Sequence, residues 1–210
     1  MKNWLDKMER RFGRYAIRNL TMYLLAGYAI GYLLSFTMPQ LLTYFTLEPA
    51  LILKGQVWRL LSWVIIPPND NIIFVIFMML LYYSLGNTLE SYWGAFRYNV
   101  YIFSGILFTV IGAFIVNGLI GGITGFGSLY STYYINMSIF LACASIMPDY
   151  QLLLYGIIPI KMKWLAILDV VLLAVDAVQG GLIIRIVIIA SLLNFIIFFF
   201  CNRNGVRKKK

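Results

Sequence analysis

Six apolar runs in this chain are long enough, or nearly so, to cross the ~30 Å hydrocarbon core of a lipid bilayer. The runs cover residues 18–38, 72–89, 98–116, 131–147, 164–178 and 182–201. With 61% hydrophobic and 12% charged residues, the chain has too few polar side chains to cover a water-soluble core. No soluble domain, internal repeat or low-complexity linker separates the runs. The sequence therefore predicts an all-α, polytopic membrane protein with one six-helix domain over residues 18–201.

Basic residues are distributed unevenly between the two sides of this predicted bundle. Fourteen of the 17 Lys and Arg residues lie before the first run or at its first position, in the second and fourth connections, or in the tail over residues 202–210. Because cytoplasmic segments are enriched in basic residues, both termini are expected to be cytoplasmic. The net charge of +9 is then mainly a topology signal. Nucleic acid is not an expected partner, since no soluble domain presents a basic face.

Residues 1–17 form a separate basic segment before the first run. Large apolar side chains recur there at steps of three and four residues with basic side chains between them, which is typical of an amphipathic helix. The apolar positions are Trp4, Leu5, Met8, Phe12 and Tyr15. Such a helix is expected to lie along the anionic cytoplasmic leaflet. The same pattern also fits a partly ordered basic flank of the first span.

Two short motifs flank the second run. The first is Gly55-Gln56-Val57-Trp58-Arg59, and the second is Leu85-Gly86 followed by Glu90 and Gly94. Trp58 suits a membrane interface because its ring is apolar while its N–H needs a partner. Arg59 has five donors that can hold several loop carbonyls or lipid phosphates at once. Gly86, Glu90 and Gly94 are spaced by four residues, so they are predicted to share one helical face.

These motifs resemble those of the rhomboid superfamily of intramembrane proteins, and the link over residues 148–165 is similar to the rhomboid connection between spans four and five. The resemblance implies a six-span bundle in which Trp58 and Arg59 set a loop that is partly submerged in the membrane. It also implies that Glu90 is a structural tie to a neighbouring loop or helix. A contact with lipid or with a client protein is the alternative role for Trp58 and Arg59.

The chain contains no histidine, whereas rhomboid proteases cleave with a Ser–His dyad. Positions of the family's histidine and oxyanion-binding asparagine correspond here to Phe74 and Met78, and neither side chain can donate to an oxyanion. The nucleophile motif is displaced, because Ser128 falls one position late in Gly125-Phe126-Gly127-Ser128. No HExxH, CxxC or P-loop motif is present, so no metal or cofactor is expected. The sequence predicts that this chain is not an enzyme.

Five polar residues lie within the last two runs, where each is costly in hydrocarbon. Asp176 and Arg185 flank a glycine turn at equal distances, so we expect an ion pair between adjacent antiparallel helices. Asp169 lies deeper, near the level of Ser191 and Asn194, and a buried hydrogen-bonded cluster is expected there. A polar notch for the transmembrane segment of another protein is the functional alternative.

The resemblance implies a non-proteolytic rhomboid-like protein, similar to members such as the derlins, that binds the transmembrane segments of other membrane proteins. Short helices and a laterally open groove would offer polar partners that lipid cannot offer. Two other classes stay open, namely a structural subunit of a membrane complex and a small transporter. The expected partners are the lipid bilayer and transmembrane client proteins.

Overall fold

A computed structural model describes residues 4–67, 72–154 and 158–206. The helices of this part are α1 (Trp4–Phe12), α2 (Leu20–Thr37), α3 (Pro39–Leu42), α4 (Pro49–Ile52), α5 (Arg59–Ser62), α6 (Ile72–Trp93), α7 (Ala95–Leu119), α8 (Tyr133–Ile146), α9 (Met162–Gln179) and α10 (Leu182–Val206). The strands are β1 (Gln151–Leu154) and β2 (Ile158–Lys161). Single 3-10 turns cover Gly13–Tyr15, Trp63–Ile65 and Gly127–Leu129.

A helix lies on each of the six predicted runs. Four of these helices, α2, α6, α7 and α10, are long and apolar enough to cross a membrane. In contrast, α8 has only 14 residues, and α9 carries Lys163, Asp169 and Asp176 within its 18 residues. The described part of the chain thus has four candidate spans, where the sequence predicts six.

The short helix α8 lies inside the bundle. Its residues from Tyr134 to Ala144 are all buried, and it packs against α6, α9 and α10. Because other helices rather than lipid cover most of its surface, its length does not have to match the thickness of the bilayer.

Helices α7 and α10 pack against each other through an aromatic group. The ring centroids of Trp93 and Phe198 are 4.7 Å apart, and Tyr101 lies 5.3 Å from Trp93 and 5.0 Å from Phe198. Aromatic pairs at such separations contribute about 0.5–1.5 kcal/mol beyond the burial of their area. This group fixes the last helix against the junction of α6 and α7.

A β-hairpin joins α8 to α9, and the sequence did not predict it. β1 and β2 pair antiparallel from Gln151 opposite Lys161 to Leu154 opposite Ile158, and residues 155–157 lie outside the described part. The pairing satisfies main-chain groups of an apolar link that has no helical hydrogen bonds of its own. The hairpin is the one addition to the all-α prediction within the described ranges.

Lysines surround the acidic residue that precedes the hairpin. Lys163 Nζ donates to Asp149 Oδ1 at 3.2 Å, and Lys161 Nζ lies 3.6 Å from the same oxygen. The hydrogen bond and charge of Lys163, together with the charge of Lys161, lower the pKa of the Asp149 carboxyl. These contacts join the two ends of the hairpin at its base.

Candidate functional site: intramembrane polar residues and the loop beside them

Arg59 holds the loop between α2 and α6 through main-chain carbonyls. Its guanidinium donates to the carbonyl oxygens of Thr43 at 2.8 Å and Thr46 at 3.0 Å, and to the Gln56 side chain at 2.7 Å. Arg59 is only 3% exposed, so these charge-assisted bonds form largely away from water, where they are strongest. The arrangement is the one that the sequence predicts, in which one arginine binds several loop carbonyls.

Trp58 lies beside Arg59 and faces outward. Its indole N–H donates to the carbonyl oxygen of Tyr44 at 3.2 Å, while half of the side chain is exposed. A tryptophan at a membrane interface needs this combination of a satisfied N–H and an open apolar ring. Trp58 and Arg59 thus fasten the same loop from its outer and inner sides.

Glu48 connects this loop to the loop between α7 and α8. The residue is 7% exposed, and its Oε1 accepts the N–H groups of Gly125 at 2.9 Å and Gly127 at 2.7 Å. A Cβ added to Gly127 would lie 2.8 Å from Glu48 Cγ, so glycine is needed for the close approach. The role of Glu48 was not predicted, although an isolated acid within the apolar stretch Thr46-Leu47-Glu48-Pro49-Ala50 was a usable signal.

Three positions that the sequence singled out, Ser128, Phe74 and Met78, do not themselves bond to Arg59 or Glu48 among the described residues. Ser128 is exposed in the 3-10 turn after α7, and Phe74 on α6 is 48% exposed. Met78, one turn further along α6, is partly buried. Neither Phe74 nor Met78 supplies the base or the hydrogen-bond donor that a serine nucleophile requires.

Gly86 and Glu90 join α6 to its two neighbours. A Cβ added to Gly86 would lie 2.1 Å from Thr21 Oγ1 and 2.8 Å from the Tyr98 hydroxyl, so glycine lets α2 and α7 approach α6 at this point. Glu90 Oε1 accepts the N–H of Asn19 at 2.8 Å, just before α2 begins. The Glu90 carboxylate therefore ties the far end of α6 to the start of α2.

Gly94 does not share a helical face with Gly86 and Glu90, and that prediction is wrong. α6 ends at Trp93, and Gly94 adopts a φ of +88° between α6 and α7. Its N–H donates to the Glu90 carbonyl at 2.8 Å. Since a positive φ favours glycine after a helix, Gly94 ends α6 and turns the chain into α7.

The predicted ion pair between Asp176 and Arg185 is also wrong. Arg185 donates instead to the carbonyl oxygens of Ala177 at 2.8 Å and Val178 at 3.3 Å. These groups belong to the last turn of α9, where the helix dipole is negative and main-chain carbonyls lack helical partners. The guanidinium at the start of α10 thus caps the end of α9, and no ion pair among the described residues includes Asp176.

Asn194 does not join Asp169, which corrects the predicted cluster. The Asn194 side chain is 2% exposed. It faces α7, where it donates to the Tyr101 carbonyl at 3.1 Å and accepts from Ser104 Oγ at 2.6 Å. The side chain of Ser191 lies outside the described part of the structure. Asp169 has no partner from α10 in this part, and its Oδ2 atom is buried without a hydrogen bond.

The tyrosines in electrostatic range of Asp169 lie on α6 and α8. The Asp169 carboxylate interacts electrostatically with Tyr82 and Tyr133. Tyr82 is also in electrostatic range of Tyr28 on α2, whose hydroxyl accepts from the Asn136 amide of α8 at 3.3 Å. We refer to Tyr28, Tyr82, Tyr133, Asn136 and Asp169 as the polar cluster. Within the residues that the structure describes, no group of three or more Cys, Asp or Glu side chains could hold a metal ion.

Helix α9 carries Asp169 into the polar cluster but is itself openly packed. Only Met162 and Leu173 of its 18 residues are buried. The side chains of Trp164, Leu168 and Val171 are 62%, 53% and 51% exposed. The polar cluster is therefore bordered by a helix whose outer surface is available to lipid or to another helix.

A family model described as eukaryotic integral membrane protein (DUF1751) matches residues 18–201. The chain belongs to this family. The DUF1751 match covers the loop held by Arg59, the polar cluster and most of α10, so the protein is an integral membrane protein with several apolar helices. No curated protein matches the chain, and no solved structure does.

Helix α1 precedes the DUF1751 region and is fastened to it by two ion pairs. Arg97 Nη2 lies 2.6 Å from Asp6 Oδ1, and Arg97 Nε lies 3.0 Å from Glu9 Oε2. Leu5 beside them is 1% exposed. The prediction for this segment rested on its basic residues and did not include Asp6 and Glu9, whose spacing of three places them on one helical face. The segment is thus a helix docked on α7 and not a loose flank.

Proposed function

We propose that this DUF1751 protein is a rhomboid-like membrane protein without protease activity that binds transmembrane segments of other membrane proteins. The observation that carries the proposal is the Asp169 carboxylate, whose Oδ2 atom is buried and unpartnered on the openly packed helix α9. A client helix that packs on α9 and displaces the side chains covering Asp169 would supply the missing hydrogen-bond donor from one of its own polar residues.

The energetic reason is that two unsatisfied polar groups gain by meeting. A buried polar atom without a partner costs about 1–3 kcal/mol, and a charged one costs more. A client helix with a polar residue in mid-span carries a similar penalty in lipid. Contact between the client and Asp169 relieves both penalties, and Tyr82 and Tyr133 lie within electrostatic range of the same carboxylate.

The rhomboid-like part of the proposal is supported by the contacts around α6. Arg59 holds the preceding loop closed, and Gly86 and Glu90 join α6 to α2 and α7. The protein lacks a catalytic group for proteolysis, because a serine hydroxyl needs an adjacent base and the chain has no histidine. We therefore propose capture of client helices without cleavage.

Photo-crosslinking in liposomes tests this capture. Photoreactive residues are placed at Leu80 on α6 and Leu172 on α9, which are 62% and 44% exposed. Two single-span client peptides differ only in one mid-span residue, asparagine or leucine. The asparagine peptide should crosslink about tenfold more strongly, since one hydrogen bond to a charged group contributes about 1.5–3 kcal/mol. A photoreactive residue at Ile189 on α10, which is 55% exposed, should show no preference.

The matched variants of this experiment are Asp169→Leu and Asp176→Leu, which remove the same charge from the same helix. Asp169→Leu should abolish the preference without lowering thermal stability, because its Oδ2 atom has no partner inside the protein. Asp176→Leu should keep the preference. Equal effects of the two variants would contradict the proposal, as would cleavage of the peptide that Ser128→Ala abolishes. Capture of one stoichiometric partner, independent of span polarity, would indicate a structural subunit.

We also propose that both termini face the cytoplasm. The proposal is supported by the distribution of basic residues, and by contacts that place α1, the start of α2 and the start of α7 at one end of the bundle. Single cysteines replace Lys2, Ile123 or Lys210 in a background that lacks Cys143 and Cys201. Only Ile123→Cys should react with an impermeant thiol reagent in intact cells. Reaction at either terminus would require a different topology.

A further inference from the structure

A groove of about 380 Å³ separates the segment after α1 from the face of α7. Its walls are mostly apolar. The side chains that matter here are Phe12, Tyr15, Ala16, Asn99, Phe103 and Leu107. The groove lies at the end of the bundle where Arg97 fastens α1.

The length of the groove matches one leaflet of a bilayer. Its α7 wall extends from Phe96 to Leu107, which corresponds to about 17 Å of helix at 1.5 Å per residue. Half of a typical hydrocarbon core is about 15 Å. An acyl chain that enters at the start of α7 would therefore reach the middle of the membrane along this wall.

Two arginines are held on the aromatic rings that line the groove. The Arg11 guanidinium lies 5.5 Å from the centroid of the Phe12 ring, and the Arg14 guanidinium lies 4.7 Å from that of Tyr15. Both arginines are exposed. The nearby acids Asp6 and Glu9 are bound to Arg97, and no ion pair among the described residues includes Arg11 or Arg14. The mouth of the groove thus carries positive charge that complements a phosphate.

Asn99 adds an unsatisfied polar group to the apolar wall. The residue lines the groove and is 6% exposed. Its Oδ1 atom is buried without a hydrogen-bond partner. Asn99 lies about 6 Å along α7 from Ala95, which is the depth between a phosphate at the surface and acyl chains below. The N–H2 group of the Asn99 amide can donate to an ester carbonyl of a glycerol backbone at this depth.

We infer that this groove binds one anionic glycerophospholipid. Arg11 and Arg14 bind its phosphate, the amide of Asn99 bonds to its glycerol region, and an acyl chain lies against Phe103 and Leu107. The site is separate from the polar cluster, and its occupancy does not depend on client binding. It differs from general attraction of a basic helix to an anionic surface, because one lipid occupies a defined place.

Native mass spectrometry tests the inference with phosphatidylserine as the probe. The full chain is reconstituted in nanodiscs of phosphatidylcholine with a minor fraction of phosphatidylserine, released in mild detergent, and weighed with its retained lipid. One phosphatidylserine should remain bound per chain, in preference to phosphatidylcholine. Replacing both arginines (Arg11→Gln with Arg14→Gln) should lower retention about thirtyfold, since each basic residue near an anionic group contributes roughly a fivefold factor. Replacing two tail lysines (Lys208→Gln with Lys209→Gln) removes the same charge elsewhere and should leave retention unchanged.

Two further variants distinguish the contribution of the groove to lipid retention from that of the arginine charges. Ala16→Trp fills the groove and keeps every arginine, so it should abolish retention. If Ala16→Trp does not fold, Leu107→Trp on the opposite wall replaces it. Asn99→Leu should weaken retention without lowering thermal stability in phosphatidylcholine, because the amide oxygen has no partner in the protein. Equal loss in the tail and arginine variants would overturn the inference, as would full retention by the groove-filling variant or a stability loss in Asn99→Leu.

Discussion

Gly31→Ala is expected to lower the free energy of unfolding by about 3 kcal/mol or more, which is the upper range for overpacking a buried site. A Cβ at this position of α2 would lie 2.1 Å from the Ile65 carbonyl oxygen and 3.0 Å from Pro67 Cδ. The obstructing oxygen belongs to the main chain, so no side-chain rotation relieves the clash. Either α2 or the segment from Trp63 to Pro67 has to move. Thermal unfolding in detergent measures the loss.

Gly118→Ala on α7 is the matched control for this prediction. Both glycines are helical, but no atom lies within 4 Å of a Cβ added to Gly118. Alanine is favoured over glycine in a helix by about 1 kcal/mol, so Gly118→Ala should be neutral or stabilising. Equal thermal stability of the two variants would show that α2 does not approach Ile65 as closely as the structure has it.

Arg59→Met should lower the free energy of unfolding by about 4 kcal/mol. The change keeps most of the side-chain length but leaves the carbonyl oxygens of Thr43 and Thr46 without their shared donor. Each buried carbonyl that loses its partner costs about 1–3 kcal/mol. The loop should also open, so a cysteine placed at Leu47, which is 0% exposed, should react faster with a thiol reagent in the Arg59→Met background.

Lys54→Met is the control for the loss of a positive charge in the same loop. Lys54 is exposed, and its replacement should change neither stability nor the reactivity at position 47. Arg59→Lys should fall between the two variants, because an ammonium group lacks the planar fork that reaches several carbonyls together. If Lys54→Met destabilised the protein as much as Arg59→Met, the role of Arg59 would be only its charge.

Features that depend on local sequence were predicted with most success. The six helical segments follow from runs of apolar residues, since main-chain groups in lipid have to be bonded within the segment. The loop contacts of Arg59 are also local, because its partners Thr43 and Thr46 precede it by 16 and 13 residues. Glu90 needed a donor at the end of α6, and the N–H of Asn19 supplies it.

Predictions about which helices face each other were less successful. The prediction assumed that residues at equal depth in the membrane are neighbours, and so paired Asp176 with Arg185 and Asp169 with Asn194. Neither pair forms. Depth fixes the level of a side chain but not its direction around the helix axis, and successive residues point about 100° apart. Helices that are apolar on every side give no periodic signal for their buried face. Sequence alone therefore left the partners of these four residues undetermined.

The sequence by itself determined that this chain is an integral membrane protein, where its helical segments lie, and that it has no histidine for a Ser–His dyad. Only the tertiary structure decided that Asn194 faces α7, that Arg185 caps α9, and that Glu48 binds the turn containing Gly127. Each of these contacts depends on the rotation and tilt of packed helices. The combined fit of many side chains sets this rotation and tilt, as in the approach of α2 and α7 to Gly86. No single segment sets them.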